Sequence, residues 1–178
     1  MDEKTLKTLE FPKVIEKLTH FSAFSASADL ALALKPAAHL AEAQERQLKT
    51  SEARRLLSLK ADVSVGGAHD IRSLADLASR GGVLIEADLL AVSGTLIAAR
   101  SLSRNFEKQA RDYPHLAEII RLLPPPPGII ESISRCISER GEVLDAASPK
   151  LASIRSEIKV SHARLMSKLE RMISDTHT

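Results

Sequence analysis

The sequence contains no tryptophan, and aromatic residues make up only 3% of its 178 residues. A hydrophobic core must therefore be built from leucine, isoleucine, valine and alanine, whereas strand-rich cores usually draw on aromatic and β-branched side chains. Apolar residues make up 44% of the chain and charged residues 27%, a balance typical of a globular protein and not of a disordered one. We therefore predict an all-α fold, a helical bundle.

Cysteine is almost absent as well. Cys136 is the only one, which excludes an internal disulfide and a cysteine-based zinc site, and suits a reducing compartment. The N-terminus lacks the apolar region of a signal peptide, and the near-apolar run at 89–99 is shorter than the roughly 18 residues of a membrane-spanning helix. These absences predict a cytoplasmic protein with no membrane partner.

Sequence motifs that carry chemistry are missing too. None of the seven glycines is followed by lysine, so the phosphate-binding P-loop is absent, and no dinucleotide, nucleophile-elbow or H-E-x-x-H motif occurs. The six histidines stand singly. The pair His69 and Asp70 lacks the further ligands that a metal site requires, and Asp70 is better explained as a helix cap. We expect no catalytic residue, cofactor or metal in this chain.

Apolar residues recur every three or four positions in most of the chain, which predicts helices. A proline run at 124–127, followed by Gly128, predicts an extended connector, and the segment 142–145 is a possible short strand. The predicted helices cover residues 11–18, 28–34, 40–59, 71–80, 86–111, 114–123, 129–137 and 149–175.

The last predicted helix carries an apolar seam of the coiled-coil kind. A lone helix of this length is marginal without tertiary contacts, so the seam needs a partner: another helix of this chain, a second subunit or a missing continuation. Because no clear C-terminal cap follows, we expect a truncated sequence. The seam comprises Ile154, Ile158, His162, Leu165, Leu169 and Met172, and we predict helix pairing or dimerisation through Ile154, Ile158, Leu165 and Leu169.

The same helix has more basic than acidic side chains. Basic helices can neutralise phosphates, so this surface is a candidate for nucleic-acid binding. A solvated helix face is the competing interpretation, since no aromatic residues interleave to stack on bases. The candidate nucleic-acid-binding residues are Arg155, Lys159, Arg164, Lys168 and Arg171.

Several short motifs are spread along the chain in a particular order. They are T-L-K-T-L-E-F-P-K-V at 5–14, F-S-A-S at 24–27 with A-L-K-P at 33–36, E-A-R-R-L-L at 52–57, G-G-A-H-D-I-R at 66–72 and R-G-E-V-L-D-A-A-S-P-K-L at 140–151. Together they resemble the N-terminal region of the bacterial MutS-like endonucleases, the recombination-suppressing branch of the MutS family that carries an Smr nuclease.

The resemblance implies a helical core domain at residues 1–145 and the start of a lever helix at 149–178, truncated before a DNA-encircling clamp. For the whole protein it implies a homodimeric ATPase and endonuclease that uses ATP and Mg²⁺. Such a protein would bind branched DNA and ribosomes through ribosomal RNA, suppress recombination and rescue collided ribosomes. None of the family's catalytic residues can be carried onto this chain.

Two functions therefore compete. The first is a non-catalytic core and lever module that couples ATPase movement to the clamp. The second is a self-contained helical dimerisation module that acts through the seam of the last helix. The sequence leaves open whether DNA or ribosomal RNA is the ligand, and an independent helical enzyme is disfavoured because no convergent set of catalytic groups is found.

Overall fold

The computed structural model describes residues 2–59, 66–107, 109–125 and 128–175. Within these residues the chain forms α-helices and one 3₁₀ helix, Asp145–Ala147, and no β-strand, so the all-α prediction is confirmed. The α-helices are α1 Glu3–Thr8, α2 Phe11–Thr19, α3 Ser25–Leu32, α4 Leu40–Leu59, α5 Arg72–Ser79, α6 Glu86–Glu107, α7 Pro114–Ile120, α8 Ile129–Cys136 and α9 Pro149–Asp175.

Helix α5 ends just before the glycine pair at 81–82, as the sequence predicts. Gly81 adopts a left-handed φ of 79°, which a residue with a Cβ rarely tolerates. The backbone N–H of Gly82 donates to the carbonyl of Leu77 at 2.9 Å, and that of Gly81 donates to Ala78 at 2.9 Å. These are the two bonds of a Schellman motif, which satisfies the last carbonyls of the helix.

Helices α3 and α6 differ from their predicted limits. Helix α3 begins before residue 28, because the hydroxyl of Ser27 accepts a hydrogen bond from the backbone N–H of Phe24 at 3.2 Å and caps an earlier turn. Helix α6 ends before residue 111, where the N–H of Gln109 donates to the carbonyl of Phe106 in a tighter turn. The predicted connector at 124–128 includes residues 126–127, which lie outside the described residues.

The chain divides into two compact units, Met1–Ile130 and Glu131–Thr178. In the first unit a core cluster joins Leu56 of α4, Phe106 of α6, Tyr113, and Ala117 of α7, each no more than 4% exposed. The Phe106 and Tyr113 rings lie 6.0 Å apart in a tilted arrangement, a favourable aromatic geometry. The domain limits at 1–145 and 149–178 stay a prediction.

The second unit contains a tight turn followed by the longest helix. Residues Ile137 and Val143 form a single antiparallel bridge, and the N–H of Leu144 donates to the carbonyl of Cys136 at 2.8 Å. The prediction of a short strand at 142–145 is therefore wrong in the described chain. The backbone turns into the 3₁₀ helix at Asp145 before a second bridge can form.

Helix α9 contains 27 residues and begins with Pro149, as predicted. At 1.5 Å per residue its length is about 40 Å. Among its described side chains none is buried, and a search of the described residues finds no helix long and apolar enough to cross a membrane.

Candidate nucleic-acid interface and helix-pairing seam

The four residues predicted to pair helices lie on one uncovered stripe of α9. At about 100° per residue, Ile154, Ile158, Leu165 and Leu169 fall within roughly 60° of one another. Their exposed fractions are 43%, 60%, 57% and 46%. The structure thus brings these side chains together on one face and leaves them in contact with solvent, where apolar groups are disfavoured.

The five basic residues predicted to bind nucleic acid do not share one face. Arg155 and Arg164 are nine positions apart, which places them on opposite sides of the helix. Lys159 lies one turn after Arg155, on the same side of the seam. Lys168 and Arg171 lie on the other side of the seam, together with Arg164. We call the surface of Arg164, Lys168 and Arg171 the basic flank. In the described chain none of these three side chains forms an ion pair.

Arg155 has a partner within its own unit. Its Nη1 donates to the carbonyl oxygen of Val143 at 2.8 Å and to Oδ1 of Asp145 at 2.7 Å. Both acceptors lie in the motif at 140–151, directly before α9. The guanidinium therefore fastens the start of α9 to the preceding turn, a role that the sequence analysis did not identify because it depends on how that turn folds back.

Asp70 does not occupy the cap position predicted for it. The N-cap of α5 is Ile71, and Oδ1 of Asp70, one residue earlier, accepts both the backbone N–H of Arg72 at 3.2 Å and its side-chain Nε at 2.8 Å. Arg72 also reaches Asp29 of α3 at 2.6 Å, while the hydroxyl of Ser25 donates to Asp70 at 2.8 Å. The hydrogen bond from Arg72 holds the pKa of Asp70 far below its usual range. The group joins α3 to α5 and has a structural role.

A second polar group lies beside the core of the first unit. One carboxylate oxygen of Glu52, on α4, is 2.6 Å from Nδ1 of His115, and the other accepts the backbone N–H of Leu116 at 3.0 Å. Burial alone would raise the pKa of Glu52, but the hydrogen bonds from His115 and Leu116 outweigh it, and the pKa lies below its usual value. Glu52 thus caps α7 from another helix.

Neither polar group has the form of a metal site. A search of the described residues finds no cluster of three or more histidine, cysteine, aspartate or glutamate side chains able to hold a metal ion. Nor does the sequence contain the glycine followed by lysine that an ATP site of the P-loop type requires.

Curated relatives match this chain along almost its whole length. Endonuclease MutS2 of Thermomicrobium roseum is 38% identical over 178 residues, which cover 98% of this chain. The chain is homologous to a segment of the bacterial endonuclease MutS2 family. Endonuclease MutS2 of Symbiobacterium thermophilum is 39% identical over 173 residues, and that of Pelotomaculum thermopropionicum is 37% identical over 173.

The matched segment is a small part of each relative. The chain spans 22% of the length of these MutS2 endonucleases. No family model matches the chain. The predicted resemblance is confirmed as homology to a segment of these relatives.

Proposed function

We propose that this segment is a non-catalytic core and lever module of a MutS-like ATPase and endonuclease, and that it couples ATPase movement to a clamp. The observation that supports the proposal is the attachment of α9 by Arg155, at the seventh position of a 27-residue helix. A continuous helix fixed near one end transmits a rotation of its base along its length, because its hydrogen-bonded backbone resists bending.

The proposed parent protein extends beyond what this chain contains. We propose that it is a cytoplasmic homodimer that binds ATP with Mg²⁺ and acts on branched DNA and on ribosomes through ribosomal RNA, with roles in recombination suppression and rescue of collided ribosomes. This chain contributes no nucleotide ligand to that activity, in keeping with its lack of a P-loop.

Arg155→Met tests the coupling. In a full-length MutS2 endonuclease whose matching segment is replaced by this chain, the variant should bind ATP normally. The nucleotide-driven change in distance between a dye on α9 and a dye in the ATPase part should become much smaller, because methionine keeps the aliphatic stem but removes both hydrogen bonds to the preceding turn.

Lys159→Met is the matched control, since it removes a positive charge one turn later without breaking a bond to Val143 or Asp145. It should leave the distance change intact. An unaltered distance change in Arg155→Met would show that this attachment does not couple the two parts, and the proposal would fail.

The basic flank is proposed as the nucleic-acid contact of the segment. Replacing Arg164, Lys168 and Arg171 by glutamine should weaken binding to branched DNA and to ribosomal RNA. For duplex arms the slope of log K against log salt should fall by up to about 3, because each phosphate contact contributes close to one unit. Fluorescence anisotropy at several salt concentrations measures both quantities.

Glutamine at Lys4, Lys7 and Lys17 provides a control that removes the same charge from exposed sites on α1 and α2. If both triple variants lose affinity equally, net charge and not the basic flank controls binding. If the parent chain binds neither nucleic acid, the flank is a solvated face and recognition belongs to other parts of the protein.

A second candidate function is a self-contained dimerisation module. The uncovered stripe of Ile154, Ile158, Leu165 and Leu169 favours it, because a contiguous exposed apolar face on a helix is a typical pairing surface. This candidate requires no ATPase partner and predicts self-association of the isolated chain.

A further inference from the structure

A cavity of about 590 Å³ opens on the first unit, and none of the residues of the two polar groups described above lines it. It lies between the second half of α6, helix α7 and the residues that follow α7. Its size is within the range of ordinary ligand sites. Its lining includes Arg100, Arg104, Arg121, Phe106, Ala117 and Ile120.

The floor of the cavity is apolar and firmly held. Phe106 and Ala117 are 3% and 4% exposed and belong to the core cluster, against which Ile120 also packs. Leu123 and Pro124 extend the apolar lining on one side. Because the floor is part of the core, the depression is maintained by the fold and does not depend on a ligand to shape it.

The rim carries a strong excess of positive charge. Three arginines, Arg100, Arg104 and Arg121, line the cavity, and Glu107 is the one carboxylate among the lining residues. Arg104 and Arg121 are exposed and form no ion pair with any residue that the structure describes. Arg104, on α6, and Arg121, directly after α7, therefore offer guanidinium groups at the rim of the cavity.

We infer that this cavity is a docking site for an acidic amphipathic peptide segment of a partner protein, with apolar side chains against the more accessible Ile120, Leu123 and Pro124 and carboxylates on the arginine rim. Guanidinium groups bind carboxylates in paired, charge-assisted hydrogen bonds, and an apolar floor selects leucine-like anchors at helical spacing. Both features are complementary to such a segment.

The lining favours a peptide over a nucleic acid. Single-stranded nucleic acids bind along basic grooves on exposed aromatic rings, but Phe106 is 3% exposed and offers no ring face for stacking. Ser103 is the one uncharged polar side chain among the lining residues, so apart from the arginines the lining has little with which to read base edges. Apolar anchor side chains fit this surface better.

The test uses three fluorescein-labelled probes and the whole chain. One is a short peptide with leucines spaced three and four apart and glutamates between them, the second has glutamine in place of each glutamate, and the third is an oligothymidine of similar length. We expect saturable binding of the acidic peptide, with the glutamine peptide bound about tenfold more weakly because the charge-assisted bonds are lost.

Charge reversal at the rim should also weaken binding of the acidic peptide. The double variant Arg104→Glu with Arg121→Glu should weaken the acidic peptide by more than about tenfold. Arg140→Glu, an exposed arginine of the second unit, is the control and should bind normally. Ser103→Phe tests the floor, because a bulky side chain occupies the cavity while leaving every arginine in place.

Circular dichroism and thermal melting establish that each variant is folded before binding is compared. The proposal is overturned if the double variant or Ser103→Phe binds the acidic peptide as well as the parent chain does, or if both peptides bind equally. Tighter binding of the oligothymidine, lost in the double variant, would overturn it in favour of a nucleic-acid site.

Discussion

Glu52→Gln is expected to lower the free energy of unfolding by about 1–2 kcal/mol, because it disrupts a carboxylate that bonds to two groups of another helix. The Glu52 side chain is only 14% exposed, so solvent replaces little of what is lost. The single oxygen of the amide cannot accept from both the His115 ring and the Leu116 N–H, so the contact with His115 persists only if the amide N–H donates to a neutral imidazole, and the charge-assisted character of the carboxylate bonds is lost.

The effect extends to the core because the same stretch of α4 makes further contacts to α7 and to the two residues before it. Leu56 packs in the core cluster, while Arg55 donates to the carbonyl of Asp112 at 2.9 Å and lies 4.8 Å from the centre of the Tyr113 ring. Loss of the Glu52 bonds loosens one end of this interface. Thermal unfolding should shift downward by roughly 3–6 °C.

Lowering the pH should reduce the difference in stability between the parent chain and Glu52→Gln. The pKa of Glu52 is lowered in the folded state, so its stabilising effect is complete above the unfolded pKa of about 4.3 and is lost as pH falls through the lower folded value. The gap in melting temperature should therefore persist from neutral pH to about pH 5 and shrink below about pH 4.

Glu45→Gln, on the same helix, provides the control. Glu45 is 57% exposed and pairs with Lys49 within one turn, so its removal should leave the melting temperature unchanged. An equal loss in the two variants would mean that the general charge of α4 matters and the cap on α7 does not. If the difference in melting temperature between the parent chain and Glu52→Gln widens in acid, the ionised carboxylate is not the source of that difference.

Local spacing was sufficient to predict most helices, since the pattern of apolar residues and the glycine pair at 81–82 act within a few positions. The polar groups could not be predicted in this way. Glu52 and His115 are 63 positions apart, and Asp29 and Arg72 are 43 apart. Nothing near any of these residues identifies its partner, because each pairing depends on how separate helices pack.

The seam and the basic residues of α9 could be predicted from the sequence only in part. The seam follows from steps of three and four, but its exposure depends on which helices pack against α9. The side on which each basic residue lies follows from its angle around the helix axis and not from the number of basic residues. Nine positions between Arg155 and Arg164 already place them on opposite sides at about 100° per residue. Residue spacing could not predict the contacts of Arg155 with Val143 and Asp145, because they depend on how the preceding turn folds.

Replacing Ile158 and Leu165 by aspartate should convert a self-associating chain into a monomer if the seam of α9 pairs two copies. Burial of one such side chain is worth about 1.5–3 kcal/mol, and a dimer through this face would bury both residues from each copy. Loss of these contacts, with charges placed against one another, should weaken pairing by more than about a thousandfold.

Sedimentation equilibrium over a range of chain concentrations measures the mass directly, and Ala163→Asp with Ser167→Asp is the matched control. Those two exposed residues lie on the side of α9 away from the seam, so the control adds the same charge and a similar loss of helix propensity without touching it. A parent chain that is monomeric throughout would reject the dimerisation module. A seam variant that keeps the dimer mass would instead place the pairing surface elsewhere, and the apolar face of α9 would then remain open to a helix other than its own copy.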